Sequence, residues 1–364
     1  MATTLLGPML PVLSVRWSLT DAAAGALFTA QFAGSLTATT ASSVLASRIG
    51  GPRAMALGFA LIAGGAGALG LVPVSLAPAA TVLYGLGLGL VLPLTNNAVA
   101  AVAGGNAAAA LNLVNVAWGV GAMTWPLVVA ATLALDPRVA TTTLAVAALV
   151  VSALWGSGRF AAATASPAAH TSRVPANTVP RASVTGLYGA LVLLYVGSET
   201  AVSGWASEFA RRMPSGGGLW TYAATAFWAA QTTGRLLAPL SIRRTGEGRL
   251  LGAGMAVGGL ATLALASLAA TAAQVIGLSA VIGLALAPVF PLLWARVIRD
   301  VAPVQPSALG PLFAAGGVGG AVLPWLVGFV SSGYGLGAGL AVPLSAMALM
   351  LVLLATAPAS SDTR

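Results

Sequence analysis

Cysteine and lysine are absent from this sequence, and histidine occurs once, at His170. Without cysteine there is no disulfide framework, no thiolate metal site and no cysteine nucleophile. One histidine, set in a polar stretch, cannot build a multi-ligand metal centre or a Ser/His/Asp arrangement inside an apolar segment. No metal, no cofactor and no catalytic cluster is therefore expected, and the chain does not read as an enzyme. Charge is also scarce. Charged residues make up 6% of the chain, against about 25% in an ordinary soluble domain. A chain with so few polar groups cannot cover a water-facing surface.

What fills the sequence instead is apolar. Hydrophobic residues reach 58%, glycine numbers 45, and mean hydropathy is +0.94. A lipid bilayer tolerates that composition, and abundant glycine suits close helix packing within it. The net charge is +9. All the basic residues are arginines, placed in short clusters between apolar runs. That pattern fits membrane orientation rather than nucleic-acid binding.

Twelve apolar segments follow one another, at 1–15, 20–46, 54–73, 79–102, 106–132, 138–157, 184–208, 217–241, 248–269, 272–295, 305–331 and 335–357. The first is too short to cross a bilayer and reads as the second half of a helix. The stretch 156–183 is rich in Ala, Ser, Thr and Pro and reads as a flexible linker. It divides the chain into a first bundle (1–157), a linker (158–183), a second bundle (184–357) and a tail (358–364). With the linker placed in the cytoplasm, twelve arginines fall on the inside and four (Arg16, Arg138, Arg211 and Arg212) outside, a positive-inside bias.

The chain also repeats itself. GLGLGLVLPL at 85–94 recurs as GLALAPVFPL at 283–292. QFAGSL (31–36) matches QTTGRL (231–236), GGPR (50–53) matches GEGR (246–249), and ALNLVNVAWGVGAMTWP (110–126) matches ALGPLFAAGGVGGAVLP (308–324). These offsets lie close to 198 and place span 2 on 8, 4 on 10 and 5 on 11. Two parallel copies of a six-span unit are the layout of a two-halved secondary transporter, with the solute site between the halves near mid-membrane.

The Gly-x-x-Arg loops, the Gly/Pro-rich spans 4, 5, 10 and 11, and the basic central linker resemble the major facilitator superfamily. YVGSETAVSGW (195–205), GRLLA (234–238), APVFPLLWA (287–295) and FAAGGVGGAVLPWLVG (313–328) are similar to the fucose permease group of sugar:proton symporters. The resemblance implies an all-α membrane fold of two six-helix bundles. It implies a small-molecule solute, protons as coupling partner, and a monomer in the bacterial inner membrane. It also implies coupling acids in spans 1 and 4. Here span 1 holds no acid and the span-4 position falls near Val91. After Leu111-Asn112-Leu113, Asn115 matches a polar family position, while Trp118 stands at the next.

Asp21 and Glu208 fall at span ends, and Glu199 is the one carboxyl placed inside a span away from its ends. Desolvation there favours the uncharged form, as a proton carrier requires; a structural hydrogen bond to a neighbouring helix is the alternative. Tyr188, Tyr195 and Glu199 fall on one helical stripe. Asn112, Asn115, Asn96, Gln31 and Gln231 are candidate hydroxyl-binding amides, and Trp118 and Trp228 candidate stacking surfaces. For each, helix–helix contact is the competing role. Arg48, Arg53, Arg235, Arg243, Arg244 and Arg249 are assigned to inner loops, for topology or gating. Glu208, Arg211 and Arg212 are expected to be solvated. Export of lipophilic compounds on the same fold, or a remnant that no longer transports, are the other functions this sequence admits.

Overall fold

A computed structural model describes residues 2–103, 106–133, 136–158, 182–214, 218–303 and 305–356. The linker segment 159–181 and the tail 357–364 lie outside the described residues, as does the side chain of Asn112.

Among the described residues the chain forms fourteen α-helices and no strand. They are α1 (Leu6–Trp17), α2 (Asp21–Ile49), α3 (Gly51–Leu71), α4 (Ala77–Ala103), α5 (Ala107–Leu133), α6 (Pro137–Gly156) and α7 (Ala182–Arg211), followed by α8 (Thr221–Thr245), α9 (Glu247–Leu268), α10 (Ala272–Leu286), α11 (Val289–Asp300), α12 (Leu309–Tyr334), α13 (Leu336–Gly339) and α14 (Ala341–Thr356). α10 with α11, and α13 with α14, each make one apolar pass, so the described helices trace twelve. Nine stretches among the described residues are long and apolar enough to cross a membrane. Large apolar side chains stand on the outside, among them Leu113 (70% exposed), Leu260 (66%) and Leu268 (73%). Water would penalise such a surface, whereas lipid tails solvate it.

Helix ends follow local chemistry. The Thr20 hydroxyl caps α2 by accepting from the Ala23 amide at 3.3 Å. Asp136 caps α6 by accepting from the Arg138 amide at 2.7 Å, with Pro137 at the first helical position. Thr271 and Gln274 form a reciprocal capping box on α10. The two Gly-x-x-Arg loops open on Gly50 (φ 87°) and Gly246 (φ 79°). Only glycine adopts that backbone region freely, so the repeated motif stops α2 and α8 in the same way.

The repeated decapeptide seats α4 on α2 and α10 on α8. A side chain at Gly85 would run into the backbone carbonyl of Gln31, and one at Gly283 into that of Phe227. The copies differ at their prolines. Pro93 is carried inside a continuous α4. Pro288 and Pro291 lack amide donors, and the second copy breaks between α10 and α11. α2 packs on both α4 and α12, α7 on α12 and α1, and α8 on α10 and α5. Contacts between α1–α6 and α7–α14 therefore run through α2–α12, α1–α7 and α5–α8.

Candidate functional site

A cavity of about 280 Å³ lies where these contacts meet. α1 contributes Gly7 and Pro8, α2 Gln31 and Phe28, α5 Trp118, α7 Glu199, Thr200 and Ser203, α8 Trp228, and α12 Phe313. Its walls are largely apolar, with a few hydroxyls, one amide and one carboxylate.

Glu199 is the centre of the polar wall. The Tyr195 hydroxyl, one helical turn earlier, donates to its Oε1 at 2.7 Å. The Leu286 carbonyl lies 3.1 Å from the same hydroxyl. It is the last carbonyl of α10, left available by the proline break, so the second decapeptide helps to position the site. From α8, Gln231 Nε2 donates to Glu199 Oε1, and Arg235 Nη2 reaches it at 3.2 Å. Among the described residues no donor meets Oε2. The Arg235 guanidinium lies over the Trp118 ring, 5.5 Å from its centroid, and Trp118 meets Trp228 edge-on at 5.2 Å. Carboxylate, guanidinium and indole are thus stacked in sequence beside the cavity.

Arg235 is a correction to the sequence reading. It is not a loop residue; it lies in the middle of α8, with its side chain 27% exposed. Glu199 consequently does not sit alone in an apolar span. It accepts from Tyr195 and Gln231 and faces the Arg235 guanidinium as a counter-charge.

The remaining sequence candidates separate into three groups. Gln31, Trp118 and Trp228 line the cavity, and Gln231 and Tyr195 stand directly behind Glu199. Tyr188 lies toward the linker end of α7, where its hydroxyl donates to Asp300 of α11, so it does not share a site with Glu199. Asn96 and Asn115 are exposed on α4 and α5 and lie outside the described lining of the cavity. Arg48, Arg53, Arg243, Arg244 and Arg249 are exposed at the linker end, and none forms an ion pair among the described residues.

At the opposite end of the bundle the expectation of solvated charges is also corrected. Glu208 is fully buried, at 0% exposed. It accepts from Arg211 Nε at 2.9 Å and Nη2 at 2.6 Å, and from Arg212 Nε at 2.8 Å. Arg212 then reaches across to α2, donating from Nη1 to Asp21 Oδ2 at 2.9 Å. The hydrogen bond that Arg212 donates to Asp21 outweighs burial and raises the Arg212 pKa above the ordinary guanidinium value, so this cation persists through the physiological range. Ser331 of α12 also donates to Asp21, and the Ala22 amide donates to the Ser332 hydroxyl at 2.9 Å. Asp21 thereby ties the start of α2 to the ends of α7 and α12. Sequence reasoning missed this cluster because its partners lie 191 and 310 positions apart.

No family model matches the chain, and no curated protein matches it. Solved structures do. The chain is similar to a variant of the nucleoside transporter NupG, with 14% identity over 96% of this chain and 94% of that one at a TM-score of 0.73. It is similar to a D-xylose-proton symporter, with 15% identity over 97% and 93% at 0.69. It is also similar to the E. coli xylose transporter XylE in a partially occluded inward-open conformation, with 15% identity over 98% and 94% at 0.72. At such identities the likeness shows the fold alone: the chain has the all-α major facilitator fold, with nine stretches among the described residues long and apolar enough to cross a membrane.

Proposed function

We propose that the chain is a secondary transporter that moves a small hydroxylated solute of the sugar or nucleoside class by alternating access, coupled to protons. The observation that carries this reading is the cavity between α1, α2, α5, α7, α8 and α12, with one ionisable side chain on its wall. A membrane-embedded carboxylate is unfavourable unless it has a task or a partner, and Glu199 has both a partner and access to the cavity. The similarity to NupG and to the xylose transporters supports the solute class.

In this reading the two bundles, 1–157 and 184–357, rock about the cavity. Gln31 pairs with solute hydroxyls while Trp118 and Trp228 stack on its apolar faces. Tyr195 and Gln231 hold Glu199. Protonation of Glu199 dissolves its pair with Arg235 and links proton binding to solute binding. The ties around Asp21 close that end of the cavity, so the solute path runs to the linker end, past the exposed Asn96 and Asn115. The linker and C-terminus are cytoplasmic, the arginines Arg48, Arg53, Arg243, Arg244 and Arg249 fix that topology, and the chain works as a monomer in the plasma membrane. The apolar walls at Phe28, Phe32 and Phe313 favour a second reading, export of a lipophilic compound.

Counterflow in proteoliposomes separates the two. Labelled xylose or uridine should accumulate against a preloaded pool in wild type, and Trp118→Ala with Trp228→Ala should reduce that accumulation. Movement of a lipophilic dye without any counterflow of polar solutes would favour export.

A further inference from the structure

Glu199 and Arg235 are the charged side chains at the depth of the cavity. Among the described residues the others lie within about a turn of helix ends. Together the pair is neutral. If Glu199 takes a proton, Arg235 is left as a single cation with its side chain 27% exposed, packed on an indole. Removing one member of a buried pair strands the other, which is strongly unfavourable. A neutral solute does nothing to offset that. An anionic solute does, because its carboxylate takes the position that Glu199 gives up.

The geometry suits such an exchange. A tight guanidinium–carboxylate pair is bidentate at about 2.7–2.9 Å. The Arg235–Glu199 contact is a single one at 3.2 Å. Among the described residues Arg235 Nε and Gln231 Oε1 are buried without a partner, so each keeps capacity for a further hydrogen bond. Trp118 holds the guanidinium by its ring face, a contact that persists while the anion changes. At about 280 Å³, the cavity is at the low end for ligand sites and admits a small molecule only.

Resting on the transporter reading above, we propose that the solute carries a carboxylate. It is a small hydroxylated organic acid, of the sugar-acid type, which replaces Glu199 on Arg235 as Glu199 accepts a proton. One proton and one monoanion enter together, so the site stays neutral and transport is electroneutral.

The titratable groups facing Glu199 are few. Tyr195 is on its own helix and Arg235 on α8. The described parts of α10, α12 and α14 present no ionisable side chain at this depth. Arg16 of α1 is held at the far helix end by the Leu69 and Gly70 carbonyls. On α11, Arg296, Arg299 and Asp300 lie toward Tyr188. Among the described residues Glu199 is therefore the one carboxyl at this depth, and the exchange is assigned to it.

The test uses the purified full chain and its Glu199→Gln, Arg235→Gln and Arg235→Lys variants. Calorimetry with gluconate, glucuronate and lactate, beside xylose, glucose and uridine, is run at about pH 5.5 and about pH 7.5. At least one acid should bind wild type about tenfold tighter at the lower pH. Glu199→Gln should bind it equally well at both. Arg235→Gln should lose it and Arg235→Lys retain part. In proteoliposomes the uptake of that acid should not respond to an imposed membrane potential. Acid binding that ignores pH, or that survives Arg235→Gln, overturns the proposal. Counterflow of neutral solutes with no acid bound overturns it while leaving the transporter reading intact. Failure of both solute classes removes the two together.

Discussion

The bridge between Arg212 and Asp21 makes a quantitative prediction about conformation. It joins a 34% exposed arginine to a 13% exposed aspartate across the interface between α2 and the end of α7. An ion pair at that exposure contributes about 1 kcal/mol. If the bridge forms only when the Asp21 end is closed, Arg212→Gln raises the open population about fivefold, since 1.4 kcal/mol is tenfold. Asp21→Asn should act in the same direction. The two together should add little to either alone, because they remove one contact. The absence of native cysteine gives a clean assay. Ala24, one turn into α2, is 1% exposed. In an Ala24→Cys background, the rate of reaction with a water-soluble maleimide reports how often that end opens. A fivefold faster reaction in Arg212→Gln, and no further gain in the double variant, is expected. An unchanged rate in both single variants would refute the reasoning, because the bridge would then be indifferent to conformation.

Three further outcomes follow from the packing. Arg235→Gln should lower stability in detergent by about 3 kcal/mol by leaving the Glu199 carboxylate unpaired, and adding Glu199→Gln should restore part of that loss in thermal melts. Tyr195→Phe, which removes a hydrogen bond to a charged acceptor, should cost about 1.5–3 kcal/mol in the same melts and shift the pH profile of transport. Gly85→Val and Gly283→Val should sharply reduce folded yield by size-exclusion chromatography, since a side chain at either meets backbone; Gly277→Ala, with nothing within 4 Å, should express as wild type.

Much of this arrangement is legible in the sequence, because membrane folds write their spans as hydropathy. The expected span at 248–269 is α9 at Glu247–Leu268, and that at 106–132 is α5 at Ala107–Leu133. The repeat also predicts that the two decapeptides do the same job, and Gly85 and Gly283 do. The proline-rich second copy marks the break at Ala287–Pro288, although not the acceptor it frees for Tyr195. What the sequence hides is partnership. Arg235 stands at the repeat position of Ser35, so the internal comparison gives no hint of a charge there. Its match to Glu199, 36 residues away on another helix, is a fact of tertiary packing. Glu208 reads as solvated because its neighbours are arginines near a helix end, yet those arginines enclose it. Asp300 falls beyond the expected end of span 10, which hides its bond to Tyr188.

The most direct test of the central claim is proton entry into proteoliposomes. The full chain and Glu199→Gln are reconstituted with a trapped pH dye, and sugars, nucleosides and sugar acids are added in turn outside. The account predicts acidification of the lumen on adding a transported solute to wild type, and none in Glu199→Gln, even though that variant still exchanges solute across the membrane. Solute-driven acidification of equal size in both proteins would contradict it, because the proton would then travel by a route that does not include Glu199.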